Sequence, residues 1–376
     1  MNDIFLFLND FTLRNVALGA ALLGVTSGVL GCFALLRQQS LLGDTLSHAA
    51  LPGVALGFLV AGSRQTIPIL LGALLSGALA ALLVILLTRR SRLKTDAALG
   101  IALSVFFAIG LVLLTFIQGQ NNAGQAGLDA FLFGQAASIL PSDIVVMALV
   151  TAFALLLVAG FWKEFQIMTF DPEFGGSLGM PVLALEILMT VMIAFAIVIG
   201  LQLVGVVLMA SMLIAPAAAA RQWSRTLAQM VILSALFGAL SGVSGALISA
   251  TQRGLATGPL IVIMASLIVL LSLFFAPNRG LVWGALEARR NHLRLRSQQV
   301  LVDLYKLAQL HENPQYPSEI GMISSYYGQN PTRLLRRLES RGLVKSSEHM
   351  REEGEHWLLT SAGQQEAEAM LESLSA

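Results

Sequence analysis

Polar and apolar residues alternate along this chain on the scale of whole helices rather than single turns. Uncharged apolar runs cover residues 15–36, 65–88, 97–128, 144–162, 226–252 and 254–278. Each is long enough to cross a bilayer, whose roughly 30 Å hydrocarbon core takes about 20 helical residues. A seventh run, 41–62, has the same character but contains Asp44 and His48. An eighth, 187–220, is too long for one straight helix at about 1.5 Å per residue. Gly200, Gln202 and Gly205 near its middle predict two helices meeting at a break, giving about nine spans in all.

Cationic residues choose the orientation. With the N-terminus outside, the inner loops hold Arg37, the cluster Arg89, Arg90, Arg92 and Lys94, then Lys163, Arg221 and Arg225, and the basic run 279–296. The opposite side keeps only Arg14, Arg64 and Arg253, so the excess of Lys and Arg on inner loops favours this arrangement. It places the C-terminus in the cytoplasm. The first apolar run has no basic segment before it and no small-residue cleavage site after it, so it reads as a retained span.

Composition agrees. Of 376 residues, 56% are hydrophobic and 12% charged, half the roughly 25% of a soluble domain. A single cysteine, Cys32, excludes an intrachain disulfide framework or a cysteine metal cluster. Residues 1–296 carry 16 Lys+Arg against 11 Asp+Glu, whereas 297–376 carry 7 against 11. Three segments follow: a membrane domain over 1–280, a basic cytoplasmic linker over 281–296, and a small soluble domain over 297–376.

Ionisable groups within spans are costly and need a reason. Asp44 and His48 are four apart and share one helix face. A carboxylate oxygen beside an imidazole nitrogen suits a divalent first-row metal such as manganese, iron or zinc. The alternative is that the two side chains bond each other and anchor a packed helix. Pro52 lacks the donor that would serve the carbonyl of His48, which predicts a kink there. Glu186 is the second exception, read either as a carboxylate serving the metal path or as a bond to a neighbouring helix. Met209, Met212 and Met264 read as packing, and Gln202 and Ser211 as interhelical hydrogen-bond partners. In the inner loop 163–181, Asp171 suits an N-cap, Pro172 the first helical position, Glu173 the helix dipole and Gly179 a stop. These predict a short helix lying on the cytoplasmic face.

Three segments together resemble one family, the permease subunits of ATP-binding-cassette importers for manganese, zinc and iron. They are Ser40-Leu-Leu-Gly-Asp-Thr-Leu-Ser-His-Ala-Ala-Leu-Pro-Gly53, Phe170-Asp-Pro-Glu-Phe-Gly-Gly-Ser-Leu-Gly179, and Val204-Gly-Val-Val-Leu-Met-Ala-Ser-Met-Leu-Ile-Ala-Pro-Ala-Ala-Ala-Ala-Arg221. The similarity spans residues 10–280 or so. It implies an all-α type II importer fold with two permease subunits, ATPases below and an extracytoplasmic metal-binding protein above. It also implies that Asp44 and His48 line a transient metal site, and that Asp171, Pro172, Glu173 and Gly179 belong to a coupling helix seated on an ATPase. No permanent cofactor is implied; the metal, Mn2+ with Zn2+ or Fe2+ as alternatives, is cargo. The resemblance further implies a bacterial plasma (inner) membrane. The chain has no Gly-x-x-x-x-Gly-Lys-Ser/Thr loop, so this subunit is not itself the ATPase.

The tail reads as a small α+β domain. Residues 300–310 have helical apolar spacing, 317–327 predict a second helix, and 330–342 predict a capped amphipathic helix stopped by Gly342. Leu343-Val-Lys and Trp357-Leu-Leu-Thr-Ser-Ala-Gly read as a two-stranded wing, with a last helix from Ala362. The whole resembles the winged helix of metal-dependent repressors. Arg333, Arg336, Arg337 and Arg341 lie where a recognition helix carries cations, but the domain's net charge of −4 opposes nucleic-acid binding. His311, His349 and His356, with Glu312, Glu348 and Glu352, are candidates for a regulatory metal site.

The sequence thus predicts the transmembrane subunit of an ATP-driven importer of divalent transition metal, manganese first. Two rivals have distinct consequences. A membrane-tethered regulator requires DNA binding by the tail. An ion-gradient transporter requires a proton relay through Asp44, His48 and Glu186.

Overall fold

The computed structural model describes residues 11–61, 66–119, 140–251, 255–277, 280–311, 313, 316–327, 331–347 and 355–375. They form two compact units, Met1–Leu281 and Val282–Ala376.

The first unit is a helical bundle. Its elements are α1 (Phe11–Leu36), α2 (Leu42–Ala61), α3 (Thr66–Arg90), α4 (Thr95–Gln118), α5 (Pro141–Gly160), α6 (Trp162–Phe170), α7 (Pro172–Ser177), α8 (Val182–Val204), α9 (Val206–Trp223), α10 (Leu227–Thr251) and α11 (Thr257–Phe275). Among the described residues, eight helices are long and apolar enough to cross a membrane: α1–α5, α8, α10 and α11. The sequence count of about nine differs by α9, an 18-residue helix that begins at the expected break. The break is at Gly205, whose φ of +88° lies in the left-handed region open to glycine. Its N–H still bonds the Leu201 carbonyl, closing α8, and α9 starts in a new direction.

Two kinds of apolar surface result. On α9, Met209, Met212, Leu213, Ala217, Ala219 and Ala220 are fully buried, packed by α1, α2, α10 and α11. On α3, Leu71, Leu75, Leu79, Leu82 and Leu86 are each more than half exposed at helical spacing. Such a stripe is ill-suited to water and normal against lipid. Some polar groups inside the bundle are paired across helices. Ser234 Oγ donates to the Gly28 carbonyl at 2.8 Å, and the Thr26 and Thr151 hydroxyls meet at 2.7 Å. Met209 and Met212 are core residues, as expected of methionine in an apolar span.

The second unit contains α12 (Leu281–Leu310), β1 (Ser318–Glu319), α13 (Ile320–Tyr327), α14 (Thr332–Ser340), β2 (Val344–Ser347), β3 (His356–Leu359) and α15 (Ser361–Ser375). The strands form an antiparallel sheet in the order β1-β3-β2. Val300, Leu301, Leu304 and Leu307 pack with Ile323, Leu335, Leu338, Trp357 and Leu359 in one core.

Three features of this unit differ from the sequence expectation. Residues 281–296, for which no regular element was expected, are helical within α12, in keeping with their Leu, Ala and Arg content. Ser318 and Glu319, assigned to a helix from 317, instead pair with Trp357 and His356, so the sheet has three strands. The N-cap of α14 is Pro331, without a side-chain cap bond, while Asn330, the expected cap, lies outside the described residues. What the structure gives is a small α+β unit with short strands. Within it Asp303 is largely buried with Oδ2 unpartnered, and that burial raises its pKa despite the opposing charge of Lys306.

Candidate metal path and coupling surface

Asp44 lies in the first turn of α2 and His48 one turn later. Their side chains face each other, Nε2 to Oδ1 at 3.3 Å, with the aspartate about a third exposed and the histidine half as much. The other imidazole nitrogen, Nδ1, is buried with no hydrogen-bond partner among the described residues. Phe107 of α4 packs edge-on against the ring, centroids 4.7 Å apart at 75°.

Neighbouring hydroxyls hold α2 in place. Thr45 Oγ1 donates to the Leu99 carbonyl on α4 at 3.3 Å, and Ser47 Oγ to the Gly43 carbonyl at 2.7 Å. Ser76 Oγ of α3 donates to the Ala49 carbonyl at 2.6 Å, beside the carbonyl of His48 from which Pro52 withholds a donor. Sequence reading missed Thr45, Ser76 and Phe107. A hydroxyl or a phenyl ring in an apolar run carries no signal of the helix it will face.

Glu186 has other partners. Its Oε1 accepts from Arg37 at 2.7 Å and its Oε2 from Arg89 at 3.3 Å. Arg37 follows α1, Arg89 is in the last turn of α3, and Glu186 lies near the start of α8, so these three helix ends meet at one face of the bundle. That juxtaposition fits the alternating topology. Glu186 also borders a narrow cleft of 40 Å³ shared with Leu42 and Leu99. Among the described residues, no three His, Cys, Asp or Glu side chains gather as a metal cluster. The carboxylate therefore serves two guanidinium groups rather than joining Asp44 and His48.

The loop between α5 and α8 is built as its residues dictate. Asp171 caps α7 by accepting from the Phe174 N–H at 2.9 Å, with Pro172 at the first position and Glu173 in the first turn. Gly179 has φ of +78°, and Met180 N–H returns to the Gly175 carbonyl at 3.1 Å, closing the helix end. Phe170, Phe174 and Leu178 are exposed around it. The preceding α6 was not foreseen as a separate helix; its Phe165 is buried against Phe33 of α1.

The tail histidines do not come together among the described residues. His311 stacks on Tyr316 at 3.7 Å and its Nδ1 lies 2.9 Å from the Leu307 carbonyl. His356 is buried in β3. His349, Glu312, Glu348 and Glu352 lie outside the described residues.

Comparison with known proteins fixes the family. The family model of the ABC 3 transport family matches residues 9–276. The chain belongs to the ABC 3 transport family. The manganese transport system membrane protein MntC of Bacillus subtilis (strain 168) is 49% identical over 291 residues, which cover 77% of this chain and 67% of that one. The zinc transport system membrane protein TroC of Treponema pallidum (strain Nichols) is 43% identical, covering 77% of this chain and 97% of its own. Among solved structures, PsaBC from Streptococcus pneumoniae in complex with Fab aligns with a TM-score of 0.65 at 35% identity, over 74% of this chain and 98% of that chain. As an ABC 3 member with eight candidate spans, the protein is a multi-pass membrane transport component.

Proposed function

We propose that this protein is the membrane-spanning subunit of an ATP-driven importer of divalent transition metal, with manganese the first substrate and zinc or iron the alternatives. The observation that carries the reading is the 49% identity to MntC over 291 residues, with the family model spanning residues 9–276, in which the Asp44–His48 pair lies. Manganese is preferred on likeness rather than on ligand chemistry, because one carboxylate and one imidazole serve all three ions. Asp44 and His48 line the path of the ion. Two ligands form a sparse site, which an importer needs so that the ion is held and then let go.

The ATPase is a separate chain, since no phosphate-binding loop is present in this one. Its motion enters at α7, where exposed Phe174 and Leu178 offer an apolar footing beside Glu173. A second permease subunit completes the pathway, and an extracytoplasmic metal-binding protein delivers the ion. The membrane is the bacterial plasma membrane, with the C-terminus in the cytoplasm.

The second unit is a regulatory or dimerising module of winged-helix type. In its favour are the order helix, strand, two helices, two strands, helix and the arginines of α14. Arg336 and Arg341 each have an acidic partner, Glu355 at 3.9 Å and Glu366 at 3.6 Å. Together with the domain's negative charge, this disfavours nucleic acid as its ligand.

The test is competitive uptake of labelled manganese and zinc in cells expressing wild type or His48→Ala at equal membrane levels with the cognate ATPase. Loss of uptake in the variant, unaffected by collapsing the proton gradient in wild type, is the expected result. Undiminished uptake of both ions by His48→Ala overturns the metal-path reading.

A further inference from the structure

A histidine that ligates a metal through one ring nitrogen carries its proton on the other. That N–H normally meets a carboxylate, a carbonyl or water, which orients the ring and raises its basicity. In this protein the nitrogen facing Asp44 is Nε2, at 3.3 Å. The remaining nitrogen, Nδ1, is buried and has no hydrogen-bond partner among the described residues. What packs on the ring is Phe107, perpendicular at 4.7 Å, and a phenyl ring has no lone pair to offer.

Phe107 is held there by contacts on either side of it along α4. Thr45 ties the first turns of α4 to α2 through the Leu99 carbonyl. One turn beyond Phe107, Gly110 lets α4 settle on α2 at Pro52: a Cβ there would stand 2.8 Å from Leu51 Cβ and 3.1 Å from Pro52 Cδ. The aromatic contact is thus a seated feature of the helix pair.

We infer that Phe107 sets the affinity of the Asp44–His48 site. It fixes the imidazole by apolar contact while denying it the acceptor that ordinarily strengthens a metal-bound histidine. The ring is oriented but its donor power is left unassisted, which keeps the ion's stay short. Phe107 is a positioning residue in this scheme and does not touch the ion. The inference rests on the reading of Asp44 and His48 as ligands.

The test uses the full transporter assembled with its ATPase in lipid nanodiscs for equilibrium Mn2+ binding, and in proteoliposomes for uptake. Phe107→Gln and Phe107→Asn supply an acceptor at two reaches, while Phe107→Leu removes the ring without supplying one. An acceptor variant is expected to bind Mn2+ about tenfold more tightly, the lower end of what outer partners of metal-bound histidines contribute. Its KM and kcat should fall together, because an ion held longer leaves later. Phe107→Leu should not show that gain. Equal binding by the leucine and both acceptor variants, or weaker binding in all three, overturns the role of Phe107. His48→Ala in the same assay separates the two levels. If it loses Mn2+ binding while the Phe107 series is flat, only Phe107's role falls. If it binds Mn2+ like wild type, the ligand reading falls and takes this inference with it.

Discussion

Asp44 and Glu186 are both carboxylates in an otherwise apolar bundle, and the structure treats them in opposite ways. Asp44 faces the imidazole of His48 at 3.3 Å, with no guanidinium partner among the described residues, and remains partly exposed. Glu186 has two guanidinium partners, one on each oxygen. A carboxylate whose charge is left unanswered can accept a passing cation. One already bracketed by two fixed cations repels it. On the proposed reading, an intramembrane acid is not a transport ligand by virtue of its position; its partners decide.

The sharpest way to break the comparison is to remove each member and measure uptake. Asp44→Ala should lower labelled-manganese uptake at least tenfold at equal expression, in line with the loss of a metal ligand or its partner, roughly 10–100-fold. Glu186→Gln should retain more uptake than Asp44→Ala. If the order is reversed, Glu186 is the cargo ligand and the two roles were assigned the wrong way round.

Stability should rank the opposite way. Glu186→Gln leaves Arg37, which is mostly buried, without its counter-charge, at a cost of about 1–3 kcal/mol for an unpaired polar group. Thermal unfolding of the purified protein in detergent should register this, with Asp44→Ala affecting it less. Within the cluster the two arginines should differ: Arg89 is half exposed and sits at 3.3 Å, so Arg89→Ala should cost at most about 1 kcal/mol. Equal losses for the Arg37 and Arg89 truncations would show that Glu186 is not gripped chiefly by Arg37.

A third carboxyl, Asp303 in the tail, sharpens the contrast because burial outweighs the charge of its neighbour Lys306. Burial raises its pKa above the ordinary 3.8, so ionising it costs the folded state stability. That cost is absent at pH below the ordinary value and grows as pH rises through the raised one. Asp303→Asn should therefore increase hydrogen-exchange protection of α12 at pH 7. The gain should shrink as pH falls toward 4 and vanish below the ordinary value.

How much of this was legible in the chain follows from the range of the interactions involved. The Asp44–His48 pair and the Asp171 cap act within four residues, and their spacing states them. The Gly205 break needs one residue with φ free to be positive, and glycine marks it. Glu186 was visible as an exception, but its partner Arg37 lies 149 positions away, and only the packed bundle brings them together. Phe107 is one apolar residue among many in α4 until the fold sets it against His48. In the tail, β1 is two residues long, too short to show periodicity, and exists through its pairing with β3. The helix over 281–296 was hidden by charge: a basic composition reads as a linker although its residues are good helix formers.

The enclosure of α9 bears on how the chain is made. Its walls are α1 and α2, synthesised before it, and α10 and α11, synthesised after it. When α9 leaves the ribosome, only half of its final surroundings exist, and Pro216 and a run of alanines give it little grip on lipid by itself. The bundle therefore closes late, once α11 has been inserted. A chain ending anywhere short of residue 275 leaves the buried face of α9 open on one side, an exposed surface for membrane quality control to recognise.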